Sequence, residues 1–117
     1  MYEYYGTVDS VYDGDTATIV VHLGFDITHR ITLRFFGIDT PEMRGPEKAR
    51  GKEVRDWVRS QILRKKVVLR TFRDKKGKYG RYLAQILVPQ EDGSLMDLNK
   101  ELVARGMAKE YFGGKRG

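Results

Sequence analysis

The sequence predicts a mainly β protein of the α+β class, a five-stranded barrel with a helix between strands three and four and a second helix near the C-terminus. Three observations carry this: short apolar runs with strand-like alternation, Gly- and Asp-containing turns between them, and two stretches where the apolar period becomes helical. The 117 residues fit one domain, 1–117, and 40% apolar with 11% aromatic residues is enough to build a core.

Tyr4 to Tyr12, rich in β-branched and aromatic residues, reads as the first strand. Asp13-Gly14-Asp15 marks a turn, because glycine tolerates positive φ and aspartate bonds back to its own backbone. Ala17 to Leu23 alternates as the second strand, with Ala17, Ile19, Val21 and Leu23 on one face. Gly24 to Asp26 turns the chain into a third strand, His29 to Phe36. There Ile31, Leu33 and Phe35 share a face and Arg34 emerges on the other.

Gly37 to Pro46 holds glycine and two prolines and is read as a loop. From Gly51 to Arg64, Val54, Trp57, Val58 and Ile62 recur at helical spacing, which predicts a helix with Trp57 in the core. Val67 to Arg73 is the fourth strand, Lys75 to Lys78 a basic loop, and Arg81 to Val88 the fifth strand. Pro89 to Ser94 turns again. A second helix runs from Leu98 to Arg105, capped by Asp97 and stopped by Gly106. This order of elements is that of an OB-fold, a barrel that commonly binds oligonucleotides or oligosaccharides.

Lys and Arg number 22 against 16 Asp and Glu, a net charge of +6, which favours a polyanionic partner. The absence of cysteine excludes disulfides, thiolate zinc sites and a cysteine nucleophile. MYEYYG has neither a basic nor an apolar leader region, and no apolar run approaches a membrane span. The expectation is a soluble, cytoplasmic chain with no membrane partner; a leader already removed would make it secreted.

Asp15, Asp39 and Glu42 fall at strand ends or in tight loops, where a barrel can gather them. Carboxylates without cysteine suit a hard cation with oxygen ligands, calcium or magnesium. Such a cation, held by Asp15 and Asp39, would polarise a phosphate, and Glu42 could position or deprotonate a water. Each residue also has a plainer reading, turn chemistry for Asp15 and a solvated loop position for Glu42. Arg34 and Arg81 could each present a guanidinium fork to two phosphate oxygens. His22 and His29 lack metal-ligand spacing and are read as surface positions.

The chain resembles the staphylococcal-nuclease (thermonuclease) family in four blocks. These are Val11-Tyr12-Asp13-Gly14-Asp15-Thr16, then Leu33-Arg34-Phe35-Phe36-Gly37-Ile38-Asp39-Thr40-Pro41-Glu42, then Lys78-Tyr79-Gly80-Arg81-Tyr82-Leu83-Ala84, and last Leu98 to Ala108. The resemblance implies that Asp15 and Asp39 hold Ca²⁺ through side chains and Thr40 through its carbonyl, with Asp13 steadying them from behind. It implies that Glu42 acts on the attacking water and that Arg34 and Arg81 grip the phosphate, Arg81 also assisting the departing 5′ oxygen. Lys78, Tyr79 and Tyr111 would contact substrate. The implied activity is a calcium-dependent endonuclease on DNA and RNA, acting as a monomer, preferring single strands and leaving 3′-phosphates. The stretch from Glu42 to Gly51 is shorter than in the staphylococcal enzyme, and the sequence stops at Gly117 where relatives continue into a last helix. The competing reading is an inactive module of the same fold that binds nucleic acid or protein. An inactive module has no need to keep Asp15, Arg34, Asp39, Glu42 and Arg81 together.

Overall fold

A computed structural model describes residues 2–73 and 82–111. Strand β1 (Tyr2–Asp13) is long enough to serve two neighbours, pairing antiparallel with β2 (Thr16–Gly24) and with β5 (Lys66–Arg73). Register shifts between Val8 and Ser10 and between Val11 and Asp13 mark irregularities that let it bend between the two. β3 (Ile27–Phe35) follows β2, and β6 (Tyr82–Pro89) lies against β5. The sheet order is β3-β2-β1-β5-β6, and it closes on itself where β3 and β6 pair in parallel at Arg34 with Leu83 and Phe35 with Ala84. The expected five-stranded barrel is therefore present.

Alternation along the strands fills the interior: Val8, Ala17, Ile19, Leu33, Phe35, Val67, Leu69, Ala84 and Ile86 are all essentially inaccessible to water. Helix α1 (Lys48–Ile62) adds Gly51, Val54, Val58 and Ile62 along one stripe, against β1. Helix α2 (Leu98–Ala104) adds Leu98, Asn99 and Leu102. Asp97 caps α2 by accepting the Lys100 N–H at 3.1 Å, and Gly106 leaves it at φ +71°, as the sequence suggests. His22 and His29 are exposed, also as expected.

Several boundaries move, for local reasons. A 3₁₀ turn at Gly45–Glu47 feeds α1, so the helix starts at Lys48 rather than Gly51. It ends at Ile62 because Leu63 turns extended and Arg64 adopts φ +63°. The Arg64 N–H then reaches the Val8 carbonyl at 2.9 Å, and Val8 N–H the Lys65 carbonyl at 3.0 Å. Trp57 is not in the core as anticipated. It lies half-buried at the edge of the stripe, with the Arg105 guanidinium 4.9 Å from its ring centroid. Three short strands were not foreseen: β4 (Ile38–Asp39), β7 (Leu95–Asp97) and β8 (Lys109–Glu110). Two or three residues carry no readable period, and only their partners define them.

One buried polar side chain ties these parts together. The Asn99 amide donates to the carbonyls of Phe36 (2.8 Å) and Ala84 (3.1 Å), and its oxygen accepts the Ile86 N–H at 3.0 Å. Asn99→Ala leaves that buried N–H without its partner, which costs roughly 1–3 kcal/mol. A urea titration is expected to show the midpoint falling at unchanged slope. An unmoved midpoint would show that the clamp is dispensable.

Candidate active site

The site begins in the turn between β1 and β2. Gly14 is packed so tightly that a Cβ there would lie 2.7 Å from Val54 Cγ1 and 3.0 Å from Thr40 Cβ, so no larger residue fits without displacement. This turn delivers Asp15 into the protein at 4% exposure. Its carboxylate accepts the Thr40 N–H at 3.1 Å and the Thr16 hydroxyl at 3.2 Å. Its backbone accepts the Phe35 N–H at 2.8 Å, and its own N–H is received by Asp13 Oδ1 at 3.1 Å. Asp13 thus stands behind Asp15, where the sequence places it. Burial, with the Asp15 carboxyl beside it adding to the effect, pushes the Asp13 carboxyl up to about 7.

Arg34 lies opposite Thr16 in the β2–β3 register, at the point where β3 also meets β6. Strand alternation sends it away from the core that Leu33 and Phe35 fill, and its fork reaches two carboxylates. One nitrogen is 3.4 Å from Asp15 Oδ2, the other 3.2 Å from Asp39 Oδ1 and 3.4 Å from the Ile38 carbonyl. Asp39 sits in β4, which is held by β8 through the pairs Ile38 with Glu110 and Asp39 with Lys109. The Tyr111 N–H continues that contact to the Gly37 carbonyl at 2.8 Å, and its ring lies with its centroid 6.0 Å from the Arg34 guanidinium carbon. The fold therefore gathers Asp13, Asp15, Arg34, Asp39, Thr40 and Tyr111 at one place.

Glu42 follows on the exposed loop. Its N–H is received by Glu47 Oε2 at 2.9 Å. The carbonyls of Pro41 and Glu42 press onto Gly51 of α1, where a side-chain carbon would collide with both. Glu47 and Gly51 are the residues the sequence reading passes over. A glycine buried within an amphipathic helix was the available signal, since such a residue commonly marks close backbone approach. Lys78, Tyr79 and Arg81 lie outside the described residues.

The family model for staphylococcal nuclease homologues matches residues 32–116. The chain belongs to this family. It is 33% identical over 119 residues to Endonuclease YhcR of Bacillus subtilis, an alignment covering 94% of the chain and 9% of that protein. An uncharacterized protein of Methanocaldococcus jannaschii, MJ1439, is 31% identical over 130 residues, covering 93% of the chain and 60% of that protein. Thermonuclease of Staphylococcus hyicus is 33% identical over 83 residues, covering 68% and 46% respectively. The chain thus spans less than two thirds of the length of each of these relatives.

Family relationship implies a metal, and the donor chemistry can be tested against that. Asp15, Asp39 and the Thr40 carbonyl would make an oxygen-only set, which suits a hard cation and would leave most coordination positions to water. Among the described residues no group of three or more His, Asp or Glu side chains is placed to ligate an ion. Both carboxylates also face the Arg34 guanidinium, so a cation bound there would share them with that side chain.

Within this family member, Gly51→Ala should act on the loop. The added methyl must push Pro41 and Glu42 off α1, at a cost on the order of 1–3 kcal/mol in stability. The expected result is a lowered thermal midpoint and a fall in any Glu42-dependent activity at temperatures where the variant is still folded. Full activity in the folded variant would show that the loop position does not matter.

Proposed function

We propose that the chain is a calcium-dependent endonuclease that hydrolyses phosphodiester bonds of DNA and RNA, favouring single-stranded or fraying regions and leaving 3′-phosphate ends. The observation that carries this reading is the Arg34 guanidinium held between Asp15 and Asp39 with Tyr111 alongside. That is a phosphate-gripping fork, a hard-cation donor pair and an aromatic face within one cluster. The names of two relatives, an endonuclease and a thermonuclease, support hydrolysis of nucleic acid. The net charge of +6 supports a polyanionic substrate.

Each residue has a role in this reading. Asp15, Asp39 and the Thr40 carbonyl would hold Ca²⁺, which would supply positive charge to offset that on the phosphoryl oxygens. Asp13 keeps Asp15 oriented through the N–H it accepts. Arg34 binds the equatorial phosphoryl oxygens, with the plane of its guanidinium preset by the two carboxylates. Glu42 takes a proton from the attacking water, and Arg81 steadies the departing 5′ oxygen. Tyr111 offers a face to a base, while Lys78 and Tyr79 contact the nucleotide. A site that holds substrate by its phosphate and by stacking would be tolerant of sequence and of sugar, which fits both DNA and RNA as substrates.

The deciding experiment is digestion of heat-denatured DNA with Ca²⁺, with Mg²⁺ and with a chelator, alongside Glu42→Gln. Cutting is expected with calcium alone, and the variant should lose roughly 10²–10⁴-fold in turnover. Binding to single strands without cutting under any condition would replace this reading with that of an inactive module. Arg34→Lys should also lose turnover sharply, because an ammonium cannot make the bidentate contact. Wild-type rates in that variant would remove Arg34 from the mechanism.

A further inference from the structure

Among the described residues the β3–β6 seam that positions Arg34 is two pairs long, Arg34 with Leu83 and Phe35 with Ala84. One residue earlier on each strand, at Leu33 and Tyr82, the strands part and a groove opens. Tyr2, Tyr4, His29 and Tyr82 line it together with the core-facing Ile31 and Leu33. Alternation puts this groove on the opposite side of the seam from Arg34, so the two sites are separated by the thickness of one sheet edge.

The groove is apolar and open to water. Tyr2 is 71% exposed and Tyr82 43%, and the Tyr2 and Tyr4 rings lie 6.4 Å apart. Aliphatic side chains on these walls would suffice to cover the core, whereas tyrosines add flat faces with a polar edge. Strand register brings a cationic residue to the same sheet edge. Arg73 pairs in register with Tyr82 and shares its face, as Thr71 does two residues before. Thr71 in turn pairs with Tyr2. Aromatic faces next to a guanidinium are what a splayed single strand needs: stacking for bases of any identity and charge for the phosphate between them.

We infer that this tyrosine-walled groove seats bases of the single strand that runs on from the cleavage site, a second subsite distinct from the Arg34 cluster. The inference rests on the nuclease reading above. It makes affinity depend on length. A substrate confined to the scissile phosphate and one nucleoside stays on the Arg34 side, whereas a longer strand reaches the groove and gains stacking on Tyr2 and Tyr82.

The test is fluorescence anisotropy with a labelled dT8 strand in the presence of a chelator, so that nothing is cut. Calcium-dependent hydrolysis of a chromogenic thymidine phosphodiester serves as the minimal substrate. The double variant Tyr2→Ala with Tyr82→Ala should bind dT8 roughly 10- to 100-fold more weakly. It should hydrolyse the minimal substrate at the wild-type rate. The double Phe variant should keep dT8 affinity, since the rings remain. Arg73→Ala should lower the salt dependence of dT8 binding by about one ion. Unchanged dT8 affinity in the Ala pair, or an equal loss on both substrates, overturns the groove. Wild-type protein that binds no dT8 overturns the nuclease reading as well, so the two failures are distinct. Because both tyrosines are exposed, the Ala pair is expected to fold, and circular dichroism checks it.

Discussion

Asp15 is the point at which three otherwise separate stretches of chain are tied. Its carboxylate takes the Thr40 N–H and faces Arg34, while its carbonyl takes the Phe35 N–H. The β1–β2 turn, the end of β3 and the segment after β4 are therefore fixed against one another by a single residue. Gly14 makes this possible by letting Val54 and Thr40 close over the turn. Everything downstream depends on that closure: the aim of Arg34, the position of Asp39, and the direction in which the chain leaves toward Glu42.

Such a cluster is not the economical way to stabilise a barrel rim. Two carboxylates and a guanidinium withdrawn from water carry a desolvation penalty, and well-packed apolar residues in their place are often neutral or stabilising. Asp13 adds to the cost, since its burial beside Asp15 lifts its carboxyl to about 7 and favours the neutral form. Stability alone does not account for three acids and an arginine gathered where β3 and β6 meet. A functional requirement would, and on the proposed reading the cluster would offer oxygen donors to a cation and N–H donors to a phosphate.

The sequence made the barrel legible because its strands are long and alternate cleanly. Ile19, Leu33, Phe35 and Ile86 face inward where their period puts them. The gathering of Asp15, Arg34 and Asp39 was legible for a related reason: they fall in a turn or near strand ends, where a closing barrel brings separate stretches together. What stayed hidden was whatever depends on a distant partner. β4 and β8 are two residues each and exist only because they pair with one another. Trp57 carries the helical period of a core residue, yet it falls at the edge of a stripe whose centre is Val54, Val58 and Ile62. Glu47 and Gly51 act on Glu42 through its backbone, and backbone contacts leave little trace in a side-chain pattern.

These two kinds of support divide the site by mechanical character. Arg34 and Asp39 lie in strands: Arg34 is locked by neighbours on two sides, and Asp39 is secured by β8 and by the Tyr111 N–H on Gly37. Glu42 instead hangs on an exposed loop whose backbone is steadied by one carboxylate and one glycine contact. Groups that must meet a phosphate in fixed geometry gain from rigid elements, since small misplacements there are costly. A group that moves a proton to and from water needs access, and loops supply it with lower local stability. The stretch from Glu42 to Gly51 is where that balance is set: the 3₁₀ turn at Gly45–Glu47 brings Glu47 back under the Glu42 amide within five residues. This internal brace restricts the Glu42 backbone, so the segment sets how freely that side chain moves without altering the strands that hold Arg34 and Asp39.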